Sequence, residues 1–282
     1  MKKYVIAVSI VSLALINGCG GGSSSSPSIT VSGKVADGYL RGAEVFLDMN
    51  NNYQWDAGEP KTTSGAGGVY SMVVSASDAA KYPVMVRVVA GTTIDEDNMN
   101  TVVANGYVMS APAGVAGFIS PMSTLIREKM IANPAMTLKD AVTQLRNQMN
   151  LSADIDMMAD YVAGSLSGTN MGQYQAMHAN AQKMADLMAG QAALVMNGSG
   201  VNQNRYRSMM GTINSNMPAI AANGMSSTFV TNMMSQLQTQ LGAIAINAVF
   251  TNYSGMFRNM TSHSNFWNAG TPIITMSGGM MR

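Results

Sequence analysis

The chain has 282 residues, 47% apolar and 11% charged, with a formal net charge of +1. It is too apolar for a disordered chain and too interrupted for a polytopic membrane protein, and its balanced charge argues against a nucleic-acid partner. One cysteine and two histidines leave little for zinc, iron–sulfur or Cys/His catalysis, whereas 28 methionines stand against 13 leucines.

The chain starts with Lys2 and Lys3, then an apolar run from Tyr4 to Ile16. That run is too short to span a bilayer comfortably. It ends at Ile16-Asn17-Gly18-Cys19, which resembles a bacterial lipoprotein signal with its aliphatic residue at −3 and small residue at −1. The resemblance implies cleavage before Cys19, acylation of that cysteine and a membrane contact through the N-terminal lipid. Gly20, where an inner-membrane retention signal carries aspartate, points to the outer membrane. Residues 1–18 are thus expected to be signal peptide, and 19–27 the acylated cysteine with a Gly/Ser tether. The mature chain would contain no cysteine pair.

Residues 28–116 read as β. Ile29–Val35, Ala43–Leu47, Val69–Val74, Tyr82–Ala90 and Tyr107–Ser110 are candidate strands, separated by turn clusters such as Thr63–Gly68 and Asn98–Asn100. They predict a small antiparallel sandwich. From residue 117 the period becomes helical. Ser120-Pro121 reads as an N-cap with proline at the first helical position, and Thr137 with Asp140 approximates a capping box. Longer helices are predicted over Gln173–Met196 and Ser227–Phe250, with loop or short helix between them. The fold class expected is α+β in two domains: an immunoglobulin-like antiparallel β-sandwich over 28–116 and a Met-rich helical domain over 117–282.

Asp48 to Glu59 forms a twelve-residue segment with oxygen-bearing side chains at positions 1 (Asp48), 3 (Asn50), 5 (Asn52), 9 (Asp56) and 12 (Glu59). These are the ligand positions of an EF-hand loop, with position 7 (Gln54) supplying a backbone carbonyl. Calcium prefers hard oxygens wrapped around one point, and Glu59 can close such a shell with both oxygens. Position 6 normally requires glycine, yet here it is Tyr53. The alternative is an Asn/Asp-rich turn that binds nothing.

The stretch VSGKVADGYLRGAEVFLDMNNNYQWDAGEPKTTSGAGGVYSM, residues 31–72, resembles β-modules of bacterial surface proteins related to carboxypeptidase-regulatory-like and SdrD B-like domains. Gly33, Asp37, Gly38, Gly42, Asp48, Asn50, Asn52, Asp56, Gly58, Glu59, Gly68 and Tyr70 carry that pattern. The resemblance implies an immunoglobulin-like sandwich with calcium as a structural ion. Ile119–Ile126 and the later LKDAVTQL…MNLSADIDMM resemble segments that follow such modules in bacterial lipoproteins, with Met where Leu is usual.

Twenty-two methionines lie from Met122 onward. Met177, Met184 and Met188 fall near one helical stripe. Three readings stand: core residues replacing leucine, thioether ligands for copper, or an adaptable contact surface. His178 and His263 have no catalytic partner at a readable spacing. Asp95-Glu96-Asp97 reads as a solvated loop. No GxSxG, HExxH, GxxxxGK[ST] or GxGxxG occurs. The expected function is therefore non-enzymatic: an exported lipoprotein anchored at the outer membrane, periplasmic or surface-facing. A calcium-stabilised module would contact other proteins or itself, the alternative being a copper-binding lipoprotein.

Overall fold

The computed structural model describes residues 27–224 and 227–245. The β part comprises β1 (Ser28–Val35), β2 (Leu40–Arg41), β3 (Glu44–Leu47), β4 (Lys61–Thr63), β5 (Val69–Ser75), a short helix α1 (Ala76–Lys81), β6 (Val84–Val88), β7 (Ile94–Asp95), β8 (Thr101–Val102), β9 (Tyr107–Ala111) and β10 (Phe118–Ile119). The helical part comprises α2 (Pro121–Ala132), α3 (Leu138–Gln148), α4 (Tyr161–Gly164), α5 (Met171–Gly190) and α6 (Ala192–Val195), followed by a hairpin of β11 (Met196–Asn197) and β12 (Gly200–Val201). Then come α7 (Gln203–Ser215), α8 (Met217–Ala222) and α9 (Thr228–Ala243). The class is α+β.

Two sheets organise the β part, in the orders β10-β1-β5 and β4-β3-β6-β9, and a third small sheet runs β2-β7-β8. β1 and β5 pair antiparallel from Ser28↔Ser75 to Lys34↔Val69. On β5, Tyr70, Met72 and Val74 turn inward while Val69, Ser71 and Val73 face out, the period-two pattern of a half-buried strand. One pairing departs from the antiparallel expectation: β10 runs parallel to β1, through Lys34↔Phe118 and Val35↔Ile119. Gly33 permits this approach, because a Cβ there would collide with the carbonyl oxygens of Ala116 and Gly117.

The second sheet does not alternate. Val45, Phe46 and Leu47 are all buried, as are all five residues of β9. Consecutive burial requires cover on both faces of a sheet. The helices contribute to that cover. Ser123 Oγ donates to Ser110 O at 2.7 Å, Thr124 Oγ1 accepts from Ser110 N at 2.9 Å, and Tyr206 donates to Val108 O at 3.1 Å. Tyr161 of α4 reaches Ala36 O at 2.9 Å. One continuous apolar core therefore crosses residue 117, running from Val35 to Leu241.

Both predicted helix starts carry their caps. Ser120 accepts from Ser123 N with Pro121 at the first helical position, and Thr137 and Asp140 form a reciprocal capping box. The helix expected over 173–196 begins at Met171 and ends at Gly190, after which Gln191 turns its side-chain amide onto Met234 O at 3.1 Å. The segment read as loop or short helix contains α7, thirteen residues long. Its apolar periodicity is diluted because Ser208, Gly211, Thr212 and Asn214 are buried alongside Tyr206, Met209, Met210 and Ile213. α9 ends at Ala243; residues 246–250 of the expected helix lie outside the described residues.

Candidate cation site in the Asp48–Glu59 loop

The loop leaves the end of β3, where Asp48 is fully buried. Its two carboxylate oxygens accept from Asn52 N at 3.1 Å and Tyr53 N at 3.0 Å. Glu59, at the other end, accepts from Met49 N at 2.6 Å and Asp56 N at 3.0 Å. The first and last acidic residues thus fasten the backbone into a ring. Inside it, Asn50 Nδ2 and Asn52 Nδ2 both reach Asp56 Oδ2, at 2.7 and 2.6 Å, and Gln54 Nε2 reaches Asp56 Oδ1 at 3.3 Å. These bonds, first from Asn50 and then from Asn52, hold the Asp56 carboxyl below its usual range.

Tyr53 occupies the position that normally needs glycine, and its backbone adopts the glycine-like conformation, with φ of 66°. A bulky side chain there costs on the order of 1 kcal/mol. The compensation lies on the side chain, which is fully buried. Its hydroxyl donates to Glu128 Oε1 at 3.0 Å, Arg127 stacks 4.8 Å above its ring, and the Tyr206 ring lies 5.1 Å away. Desolvation, reinforced by Glu128, pushes the phenol pKa well up, so Tyr53 stays a neutral donor.

The donor set suits a hard cation that takes about six to eight oxygens. Asn50, Asn52 and Asp56 already converge, and Asp48 and Glu59 keep unused lone pairs. Two features run against immediate coordination. The Asn50 and Asn52 carbonyls accept from Asn52 N and Gln54 N, so their amide nitrogens, not their oxygens, face Asp56. Among the described residues, no three His, Cys, Asp or Glu side chains are grouped so as to hold a metal ion. A hard cation among these side chains would need the Asn50 and Asn52 amides to turn over, exchanging nitrogen for oxygen beside Asp56 at the cost of the bonds from Asn52 N and Gln54 N.

Met177, Met184 and Met188 lie in the core, exposed by 1% or less. Cys19 and His263 lie outside the described residues. The Asp95–Asp97 segment is not simply solvated. Glu96 pairs with Arg41 and accepts from Gly67 N at 2.8 Å, while Asp97 Oδ2 lies 2.7 Å from His178 Nε2. Nearby, Asp37 is buried. Its Oδ2 accepts from Tyr107 and its Oδ1 has no partner, and burial raises its pKa to about 7.

The buried group at Arg127, Glu128 and Lys129 was not readable from loop spacing. Its one signal is three consecutive charges inside a helix, flanked by Leu125-Ile126 and Met130-Ile131. Arg127 pairs with Glu128 at 3.2 Å and donates to Asn51 Oδ1 at 3.2 Å. Burial alone lowers the Lys129 pKa to about 7. A surface cleft lined by Asn147, Gln148, Met149, Asn150 and Pro218, with Ala221 and Ala222, offers no acid, base or nucleophile. Among the described residues no helix is long and apolar enough to cross a membrane. Against known proteins, no family model, curated protein or solved structure matches the chain.

Proposed function

We propose that this chain is a non-enzymatic, exported lipoprotein, held at the outer membrane by acylated Cys19 and the tether that follows. Its β part acts as an immunoglobulin-like module that takes calcium as a structural ion, and the chain contacts other proteins or a second copy. The observation that carries the reading is the Asp48–Glu59 ring. Its terminal carboxylates grip the backbone, position 6 is left-handed, and Asn50 and Asn52 meet at Asp56. Short polar donors spaced to surround a point, on a rigid element, are what a hard cation needs.

Protein contact is supported by β5, which ends its sheet and exposes Val69 and Val73 by 52% and 67%. An apolar edge strand of this kind is a template for pairing or packing against another chain. The burial of Met177, Met184 and Met188 supports methionine as a gap-filling core residue rather than a copper ligand. Elemental analysis of the mature protein, purified without added metal, tests the reading. Calcium near one ion per chain supports it. Copper instead moves the methionines to the centre, and neither metal contradicts the calcium assignment.

A further inference from the structure

β5 has a strand on one side only. Lys34 N donates to Gly117 O and Ala36 N to Ile119 O, so alternate residues of β1 turn their main-chain groups to β10. The others, Ile29, Val31 and Gly33, turn theirs to Val74, Met72 and Tyr70 of β5. Ser71 and Val73 therefore direct their N–H and C=O groups away from β1, off the sheet, where among the described residues no strand pairs with them. Both ends of β5 leave that side open. The turn before it closes on itself, Gly65 N donating to Val69 O at 2.8 Å. The helix after it, α1, turns toward the segment that leads into β10, where Ala79 O accepts from Gly114 N at 3.2 Å. Edge strands are ordinarily guarded by charge, proline or a bulge. Val69–Ser75, with the sequence VYSMVVS, has no charge and no proline, and it pairs with β1 in unbroken register.

We propose that the open edge of β5 is a self-association site, at which β5 of a second copy of this chain adds antiparallel about a twofold axis through Val73. This names the partner in the reading of protein contact above, and it rests on that part of the reading alone, not on the lipid or the cation. The side chains select both the occupant and the register. The outward-facing pairs of the β1–β5 ladder are Thr30 with Val73, Ser32 with Ser71 and Ser28 with Ser75. A twofold at Val73 sets that residue against Val73 of the second copy, with a Thr30 on either flank. It also sets Ser71 against Ser75 of the second copy, which completes a row of Ser32, Ser71, Ser75 and Ser28 across four strands. Branched side chains meet branched ones and hydroxyls meet hydroxyls, the pairings that favour a sheet. Moving the axis to Met72 would set Ser71 against Val73 and draw on Val69 O, which Gly65 already occupies. No like charges meet in the Val73 register. Lys34, the one charged residue of β1 and β5, lies beside Val69 and is held by Asp160 at 2.8 Å. An uncharged row offers a foreign partner no charge to select it by, whereas a twofold gives every row its own match.

One short strand edge is small beside the roughly 800 Å² per partner of a stable interface, so the dimer is expected to be reversible, with a dissociation constant on the order of 10–100 µM. The test is sedimentation equilibrium of the full mature chain, carrying Cys19→Ser to keep it free of lipid, up to about 300 µM. The chain with β5 unaltered is expected to pass from monomer to dimer over that range. Val73 is 67% exposed, so its side chain can be changed without entering the core. Val73→Lys and Val73→Asp each set like charges against each other on the axis. Each is expected to weaken association by about tenfold or more, with an unchanged circular dichroism spectrum. An equimolar mixture of the two variants is expected to restore a dimer containing one of each, because a twofold at Val73 brings residue 73 of both copies together. A chain with unaltered β5 that stays monomeric at about 300 µM overturns the proposal. So does a dimer that neither variant weakens, which places the contact elsewhere on the molecule. Weakened variants whose mixture does not recover overturn the twofold at Val73. None of these outcomes depends on calcium content or on acylation, so failure here is distinct from failure of those readings.

Discussion

Tyr53 and Glu128 are 75 positions apart in sequence and share a 3.0 Å hydrogen bond in the core. The bond joins a residue that the candidate cation loop holds at positive φ to α2. Removing the hydroxyl leaves a buried carboxylate short of one donor, which costs about 1–3 kcal/mol. Tyr53→Phe is therefore expected to lower the melting temperature measurably, by thermal denaturation at neutral pH, while leaving the secondary structure content intact. A melting curve superimposable on the wild type would show that Glu128 does not depend on this donor.

Lys129 is 1% exposed and its pKa is lowered to about 7 by burial. The unfolded chain holds the proton up to a pH near the ordinary lysine value of 10.5. Below about pH 7 the lysine is charged in both states, and the folded state bears the full cost of a buried ammonium. That cost falls as pH rises from about 7 toward 10.5. Lys129→Met is expected to stabilise the protein by about 2–4 kcal/mol at pH 6, with a smaller gain at pH 10. Denaturant midpoints at the two pH values check this. An equal gain at both would remove the titration as the cause.

Asp37 gives the opposite slope. Its folded pKa is raised to about 7, from the ordinary carboxylate value of 3.8, chiefly by desolvation. The group favours the folded state fully below the lower value, and this contribution is lost as pH rises through about 7. Asp37→Asn keeps an oxygen for the Tyr107 hydroxyl and removes the charge. It is expected to match the wild type near pH 4 and to be about 1–3 kcal/mol more stable at pH 8. Stability curves that stay parallel across this range would contradict the assignment.

The anchor is tested by fractionation. Cys19→Ser removes the acylation site, and a tether of glycine and serine has no membrane affinity of its own. The variant is expected in the soluble fraction. Retention in the outer-membrane fraction would contradict the lipid assignment.

Local signals survive folding, and long-range ones are invisible beforehand. The starts of α2 and α3 were legible because Ser120, Pro121, Thr137 and Asp140 act within one turn of themselves. β1 and β5 were legible from alternation, and β3 from the turn residues before it. The loop was legible at positions 1, 3, 5, 9 and 12 because oxygen spacing is a property of the segment alone. α7 was not, because it buries Ser208, Thr212 and Asn214 among its apolar residues and loses its periodicity. The role of Tyr53 was not legible either. In the segment it reads as a defect, and its compensation comes from Arg127, Glu128 and Tyr206. The parallel pairing of β10 depends on Gly33 admitting the chain at Ala116 and Gly117, a closeness no spacing rule states.

The most direct test of the central claim is a calorimetric titration of calcium into chelator-treated protein, for the wild type and for Asp56→Ala. Among the described residues Asp56 makes its side-chain bonds to Asn50, Asn52 and Gln54, so its loss disturbs the ring and not the core. The account predicts one calcium site in the wild type. Calcium at 100 times its dissociation constant should then add about 2.7 kcal/mol of stability, and Asp56→Ala should lose most of that affinity. No binding heat in the wild type, with identical melting in calcium and in chelator, would contradict it.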